Sequence, residues 1–148
     1  MIILREATIE DELLLFKWRN DPDVRKNSFN SNQVKYEDHI HWVKDKLVSN
    51  NSTIYIIEND KRAIGVIRLD KIDINSKMIS FSIDCNCRGK GYASQLLELI
   101  RKRFCNYILI GKVKKDNIGS IKAFLRAGYY MKEESEHLVF YSEYKSKR

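Results

Sequence analysis

The stretch Arg88-Gly89-Lys90-Gly91-Tyr92-Ala93 decides how the chain is read. A strand-like run, Met78-Ile79-Ser80-Phe81-Ser82-Ile83, precedes it. Apolar residues follow at Tyr92, Ala93, Leu96, Leu97, Ile100 and Phe104, and this spacing predicts a helix with one buried face. A strand therefore leads through a basic, glycine-rich turn into a helix. The first N–H groups of a helix lack partners within it and carry partial positive charge. Glycines let anionic oxygens approach such a backbone, and Arg88 and Lys90 add full charges. This is the chemistry of a phosphate or pyrophosphate cradle. It is not a dinucleotide fingerprint, because Ser94 stands where a third glycine is needed, and no Gly-Lys-Ser/Thr ending makes it a P-loop.

The rest of the chain reads as short alternating elements. Residues 2–5 form a first strand. Thr8, with Asp11 three positions on, starts a helix carrying Leu13, Leu14, Phe16, Trp18 and Arg19. That helix ends near Asn20-Asp21-Pro22, since proline disfavours helical geometry in its predecessor. Residues 24–30 read as a loop and 36–48 as a second helix, with Ile40, Val43 and Leu47 inward and His39 near Trp42. Strands are expected over 53–58, 63–69 and 77–84, the first two joined at Asn59-Asp60-Lys61. After the cradle helix come a strand over 107–112, a short helix over 121–127, and closing strands over 130–132 and 138–144.

The chain has 148 residues, 43% of them hydrophobic and 32% charged, which suits one globular domain over 1–148 with a real core. No apolar run approaches the roughly 20 residues that span a bilayer, and the N-terminus reads as a strand instead of a signal peptide. A membrane partner is not expected. The net charge is +7, from 27 basic and 20 acidic residues, with excess at Arg101-Lys102-Arg103, Lys112, Lys114-Lys115 and residues 145–148. Such a balance suits polyanionic ligands. No nucleic-acid module is recognisable. The odd cysteine count (Cys85, Cys87, Cys105) offers no zinc-ligand set and argues for free thiols in a reducing cytoplasm.

Arg-x-x-Gly-x-Ala at 88–93 resembles the acetyl-CoA signature of the GNAT N-acetyltransferase superfamily. Asn117-Ile118-Gly119-Ser120, the helical run after it and Gly128-Tyr129 resemble a second segment of that family, in the expected order. The resemblance spans essentially the whole chain. It implies an α+β fold, a mixed, mostly antiparallel sheet of about seven strands with helices on both faces. It implies acetyl-CoA as cofactor. The pantetheine arm would lie where the strand before the signature splays from the next, at Ile83, Asp84 and Cys85. The pyrophosphate would take Arg88, Gly89, Lys90, Gly91, Tyr92 and Ala93, and Asn117, Ser120 and Phe124 would lie alongside. The implied reaction is direct attack of a neutral amine on the thioester, with an N–H of the splayed strand stabilising the oxyanion.

Two departures bear on catalysis. Many members carry a tyrosine as thiolate acid where Phe124 stands, and phenylalanine has no proton to give. Tyr129, Tyr130, Tyr141 or water are the substitutes, with Tyr141 favoured. Met78, Ser80 and Ser82 share one strand face and none is a useful base, so that role falls to His39, Glu37, Asp70 or a water chain. For the acceptor, the string from Trp18 to Asn30 resembles GNAT enzymes that acetylate nucleotide-linked amino sugars, as in the pseudaminic-acid pathway, on the 4-amino group of a UDP-sugar. Arg19, Asn20, Ser28, Phe29, Asn30, Trp42 and Arg68 are the expected acceptor residues, with Arg68 for phosphate and an aromatic ring for base or sugar. A homodimer is one expectation for assembly. Two alternatives stay open: a peptide N-acetyltransferase of the ribosomal-protein type, and a non-catalytic acyl-CoA-binding module.

Overall fold

The computed structural model describes residues 1–143. Its elements are β1 (Ile2–Glu6), α1 (Glu12–Arg19), α2 (Pro22–Asn27), α3 (Tyr36–Val48), β2 (Ser52–Asn59), β3 (Arg62–Lys71), β4 (Ser76–Ile83), α4 (Tyr92–Arg103), β5 (Ile108–Lys114), α5 (Ile118–Arg126), β6 (Tyr130–Glu133) and β7 (His137–Tyr141). The strands form one sheet in the order β1-β2-β3-β4-β5-β7-β6. Every pairing is antiparallel except β4 with β5. The expected mixed, mostly antiparallel sheet with helices is therefore present. Among the described residues, no helix is long and apolar enough to cross a membrane.

Each face of the sheet has its own core. Leu96, Leu97 and Ile100 of α4 and Ala123 and Phe124 of α5 pack on Ile67, Ile79, Leu109 and Phe140. On the opposite face Leu15 and Trp18 of α1 and Val43 of α3 pack on Ile54 and Ile56 of β2. Strand alternation sends neighbouring residues to these two cores.

Two boundaries depart from the sequence reading. Residues 22–27, expected within a turn and loop, form α2. Pro22 opens that helix, where its fixed φ is already helical, and the Asp21 carboxylate accepts the N–H groups of Asp23 and Val24. Helix α5 starts at Ile118, ahead of the expected 121, because Asn117 caps it by accepting the Ser120 N–H at 3.3 Å. The last strand ends at Tyr141, and residues 144–148 lie outside the described residues.

The pairing of β4 with β5 covers only Ser76–Met78 against Ile108–Ile110. Beyond these rungs β4 runs on to Ile83 and β5 to Lys114 without pairing to each other. A V-shaped gap opens in the centre of the sheet.

Candidate active site

The gap exposes backbone of one strand parity. Asn75 C=O accepts the Ile108 N–H at 2.8 Å, whereas the Asp84 N–H turns the other way, to Ile64 C=O of β3 at 2.8 Å. By alternation the N–H groups of Ile79, Phe81 and Ile83 face the gap. The gap's floor is aromatic: Phe124 is 2% exposed, stacks on Phe140 at 4.6 Å between centroids and meets Phe81 edge-on at 5.9 Å. Gly111 of β5 permits this, since a Cβ there would lie 2.5 Å from the Phe124 ring.

At the mouth of the gap, Gly89 (φ 78) and Gly91 (φ 82) adopt left-handed conformations that favour glycine. Gly91 is the N-cap of α4 and contributes no side-chain cap. The first bond of the helix is Gln95 N–H to Gly91 C=O at 3.2 Å, so the N–H groups of Tyr92, Ala93 and Ser94 precede the ladder. Lys90 is exposed beside them, and nothing stands within 4 Å of where a Gly89 Cβ would project. An uncapped helix start, open glycine backbone and a lysine fit a diphosphate group. The half-buried Tyr92 hydroxyl accepts from Asn59 Nδ2 at 3.0 Å.

Other residues expected at the cofactor do structural work as well. The Asp84 carboxylate accepts Trp18 Nε1–H at 2.8 Å and the Asn86 N–H at 2.9 Å. These bonds hold it below the usual carboxylate range, Trp18 contributing most. Arg88 Nε–H donates to Ile83 C=O at 3.0 Å, and its Nη1 donates to Asp23 at 3.0 Å. Cys85 is exposed in the short turn that follows β4, while Cys87 is buried.

The opposite face of the sheet is left partly open. Helices α1 and α3 cover β2 and β3, but Ser80 of β4 and Lys112 of β5, on central strands, are exposed. This uncovered face runs across Arg68, Ser80 and Met78 to Ile110 and Tyr141. Tyr141 lies opposite Ile110, which also pairs with Met78 in the last rung before the gap opens. The phenol-bearing residue thus stands one strand from the root of the gap. Tyr129, by contrast, is 4% exposed, donates its hydroxyl to Leu97 C=O at 2.9 Å, and has its ionisation pushed far up by burial. It has no place in proton transfer. Tyr130 sits on edge strand β6, half exposed.

A pinned loop borders this face. Asn20 and Val34 exchange two hydrogen bonds, at 3.0 and 2.9 Å. Arg19 Nη2 donates to Asn30 C=O and Arg25 Nε to Ser31 C=O, each at 3.2 Å, and the Ser28 hydroxyl donates to Val24 C=O at 2.6 Å. Phe29 is left 60% exposed and edge-on to His137 at 5.8 Å. These two rings, with Lys114, Lys115, Asp116 and Glu136, line a cavity of about 430 Å³. On β3, the Arg68 guanidinium lies 5.0 Å over the Trp42 ring and pairs with Asp70 at 2.8 Å. Asp70 is also bonded to Ser52 and ion-paired with Lys46 at 3.6 Å. Despite the opposing cost of burial, these partners hold it ionised below its ordinary range, which makes it a poor base. Burial and then the charges of Arg68 and Arg25 lower the Arg19 pKa, so three guanidiniums share one field.

His39 lies inside the α1–α3 interface, 3% exposed, 5.3 Å from the Phe16 ring and stacked on Trp42 at 6.0 Å. Burial lowers its pKa, with a smaller opposing contribution from Glu12. Its Nε2 is buried without a partner, as are Glu12 Oε2 and Arg19 Nη1. Glu37 is exposed at the start of α3. The site residues missed in the sequence were Trp18 as an anchor, Phe81 as gap-facing backbone, His137, and the Asp21/Asp23 pair. Only the last had a readable signal, an Asp-Pro-Asp helix start.

Residues 1–130 match the acetyltransferase (GNAT) domain family. Two relatives from Campylobacter jejuni strains, each named acetyltransferase PseH, are similar at 24% identity (91% of this chain, 87% of theirs) and 28% identity (93% and 83%). Among solved structures, a spermidine N-acetyltransferase from Vibrio cholerae in complex with CoA and spermine superposes with TM-score 0.82 at 16% identity, covering 95% of this chain and 92% of that one. RimL, a ribosomal L7/L12 alpha-N-protein acetyltransferase in complex with coenzyme A, superposes with TM-score 0.80 at 15% identity and the same coverage. At such identities these two structures speak for the fold.

Proposed function

The chain belongs to the GNAT acetyltransferase family and is an acetyl-CoA-dependent N-acetyltransferase, and we propose that its acceptor is the 4-amino group of a UDP-linked amino sugar. The observation that carries this reading is Arg68, which lies opposite Ser80 on the uncovered face, with Arg19 and Arg25 holding the neighbouring loop at Asn30 and Ser31. The field of these guanidiniums attracts a diphosphate and repels a polycation. A net charge of +7 argues the same way against a polyamine. The similarity to the proteins named acetyltransferase PseH and the resemblance to pseudaminic-acid pathway enzymes support a sugar nucleotide.

When bound, acetyl-CoA supplies an activated acyl group as its thioester. The start of α4 and Lys90 would hold its diphosphate, and the gap between β4 and β5 would take the arm. The N–H groups facing the gap, those of Ile79, Phe81 and Ile83, would donate to the oxygen that gains charge. Tyr141 would hold the proton that the departing thiolate needs. The amine proton would leave through a water chain, and the unpaired Nε2 of His39, enclosed between Phe16 and Trp42, is its proposed end point. Phe29 and His137 offer a ring pair for the base. Much of the rate comes from positioning two reactants on opposite sides of one sheet.

Release of CoA thiol from acetyl-CoA tests the acceptor, using UDP-linked 4-amino sugars, free amino sugars and peptides with free N-termini. Turnover confined to the UDP-sugars is expected. Turnover of peptides alone would replace the acceptor and leave the cofactor assignment standing. CoA binding with no turnover by any primary amine would mark a binding module.

A further inference from the structure

We propose that Arg88 is a positioning residue for the acceptor, clamping α2 to the cofactor turn, and is not a phosphate ligand. Three of its atoms are engaged: Nε with Ile83 C=O at 3.0 Å, Nη1 with Asp23 Oδ2 at 3.0 Å, and Nη2 with Asp21 Oδ1 at 3.4 Å. An exposed ion pair alone would count for little, and Asp23, 72% exposed, is of that kind. Asp21 is different. Its carboxylate is 15% exposed, and the same oxygen that meets Arg88 accepts the Asp23 and Val24 N–H groups at 2.9 and 3.3 Å. One carboxylate oxygen thus caps α2 and ties it to the turn.

What α2 carries gives the clamp its consequence. Arg25, on this helix, holds Ser31 C=O, and Lys26 C=O accepts Lys114 Nζ at 2.9 Å. The chain then enters the loop bearing Phe29 and Asn30. Releasing the start of α2 would loosen these groups together, while Gly89, Lys90, Gly91 and the first turn of α4 would remain to receive a diphosphate. The acceptor side is therefore set from the cofactor side through Arg88. The inference rests on the reading that the loop over residues 28–34 faces the acceptor.

The test compares wild type with Arg88→Gln, Arg88→Lys, Asp21→Asn and the double variant Arg88→Gln/Asp21→Asn. CoA affinity is measured by calorimetry, hydrogen exchange of residues 21–34 by mass spectrometry, and acceptor KM with whichever amine the wild type acetylates. Arg88→Gln is expected to leave CoA affinity within about twofold, raise exchange across 21–34, and raise acceptor KM about tenfold or more with a smaller change in kcat. Arg88→Lys should recover part of the loss. The double variant should lose far less than the product of the single losses. A tenfold loss of CoA affinity with unchanged exchange would overturn the clamp and restore Arg88 to the phosphate, as would fully multiplicative losses. Exchange and CoA affinity are read without an acceptor, so a wrong sugar assignment would fail in the amine panel and leave these two results standing.

Discussion

Trp18 Nε1–H donates to the Asp84 carboxylate over 2.8 Å, joining helix α1 on one face of the sheet to the strand end that leads into the cofactor turn. The partners are 66 positions apart in the chain, so the bond reports tertiary docking and not local structure. Trp18→Phe keeps most of the buried ring and removes the donor. We expect a loss of about 1–2 kcal/mol, since the carboxylate keeps only the Asn86 N–H. In a domain of this size that corresponds to a fall in melting temperature of roughly 3–8 °C, measurable by calorimetry. The same bond depresses the Asp84 pKa, so its stabilisation is present above the ordinary carboxylate pKa of 3.8 and is lost as pH falls through the lower folded value.

Tyr141→Phe removes a hydroxyl and no packing volume. With Tyr141 as thiolate acid, kcat should fall about a hundredfold while CoA affinity stays near wild type. Steady-state kinetics beside a melt separate this from a folding defect. Unaltered turnover would pass the role to water.

Much of the fold was legible in the sequence because its signals are local. Gly89 and Gly91 mark a turn of positive φ, and the Tyr92–Phe104 pattern marks a helix whose buried residues are Leu96, Leu97 and Ile100. A phosphate cradle followed from that turn, and the cofactor from the family resemblance the turn carries. The acceptor side was harder. His39 read as a candidate base, yet only the packing of α1 on α3 reveals that it is enclosed by Phe16 and Trp42. Asp84 reads as a cofactor contact through the family resemblance, and Arg88 through its charge within the turn. Their partners Trp18, Asp21 and Asp23 lie more than 60 positions away, a separation that periodicity and capping rules do not cross.

Gly111→Ala probes the floor of the gap. A Cβ at this position would stand 2.5 Å from the Phe124 ring, which is itself confined by Phe140 and Tyr129. The ring has no free direction, so overpacking should cost about 1–3 kcal/mol and narrow the gap. A lowered denaturation midpoint with weakened CoA affinity is the expected pair of results. An unchanged midpoint would mean that β5 yields more readily than its pairing with β7 suggests.

Phe29→Ala discriminates among acceptors. The ring is exposed on a loop pinned by Arg19 and Arg25, so its removal should leave stability nearly unchanged. If it stacks on a nucleobase, the loss is about 0.5–1.5 kcal/mol, a few-fold to tenfold rise in KM for the UDP-sugar. A free amino sugar should show no such rise. Equal changes for both would place Phe29 against the sugar instead of the base.

His39 sets a pH dependence whose sign follows from burial. Its folded pKa is lowered from the ordinary 6.5, so between the two values the unfolded chain binds more protons than the native one. Stability therefore rises with pH through that window and levels off above about 6.5. The groups facing the ring are Glu12 and Arg19 from α1, together with the Phe16 and Trp42 rings. Glu12 opposes the shift, first through its backbone, and Arg19 adds to it, while the Tyr36 hydroxyl donates to Glu12 Oε1 at 2.7 Å. Denaturation midpoints across pH 5–8 should show this slope in wild type and lose it in His39→Gln, which keeps a polar group in the interface. If His39 also accepts the amine proton, the acidic limb of kcat/KM should fall away in the same variant, with kcat/KM depressed across the whole range. A variant that loses the stability slope but keeps the kinetic limb would confine His39 to holding Trp42 beneath Arg68 and leave the proton to a water chain.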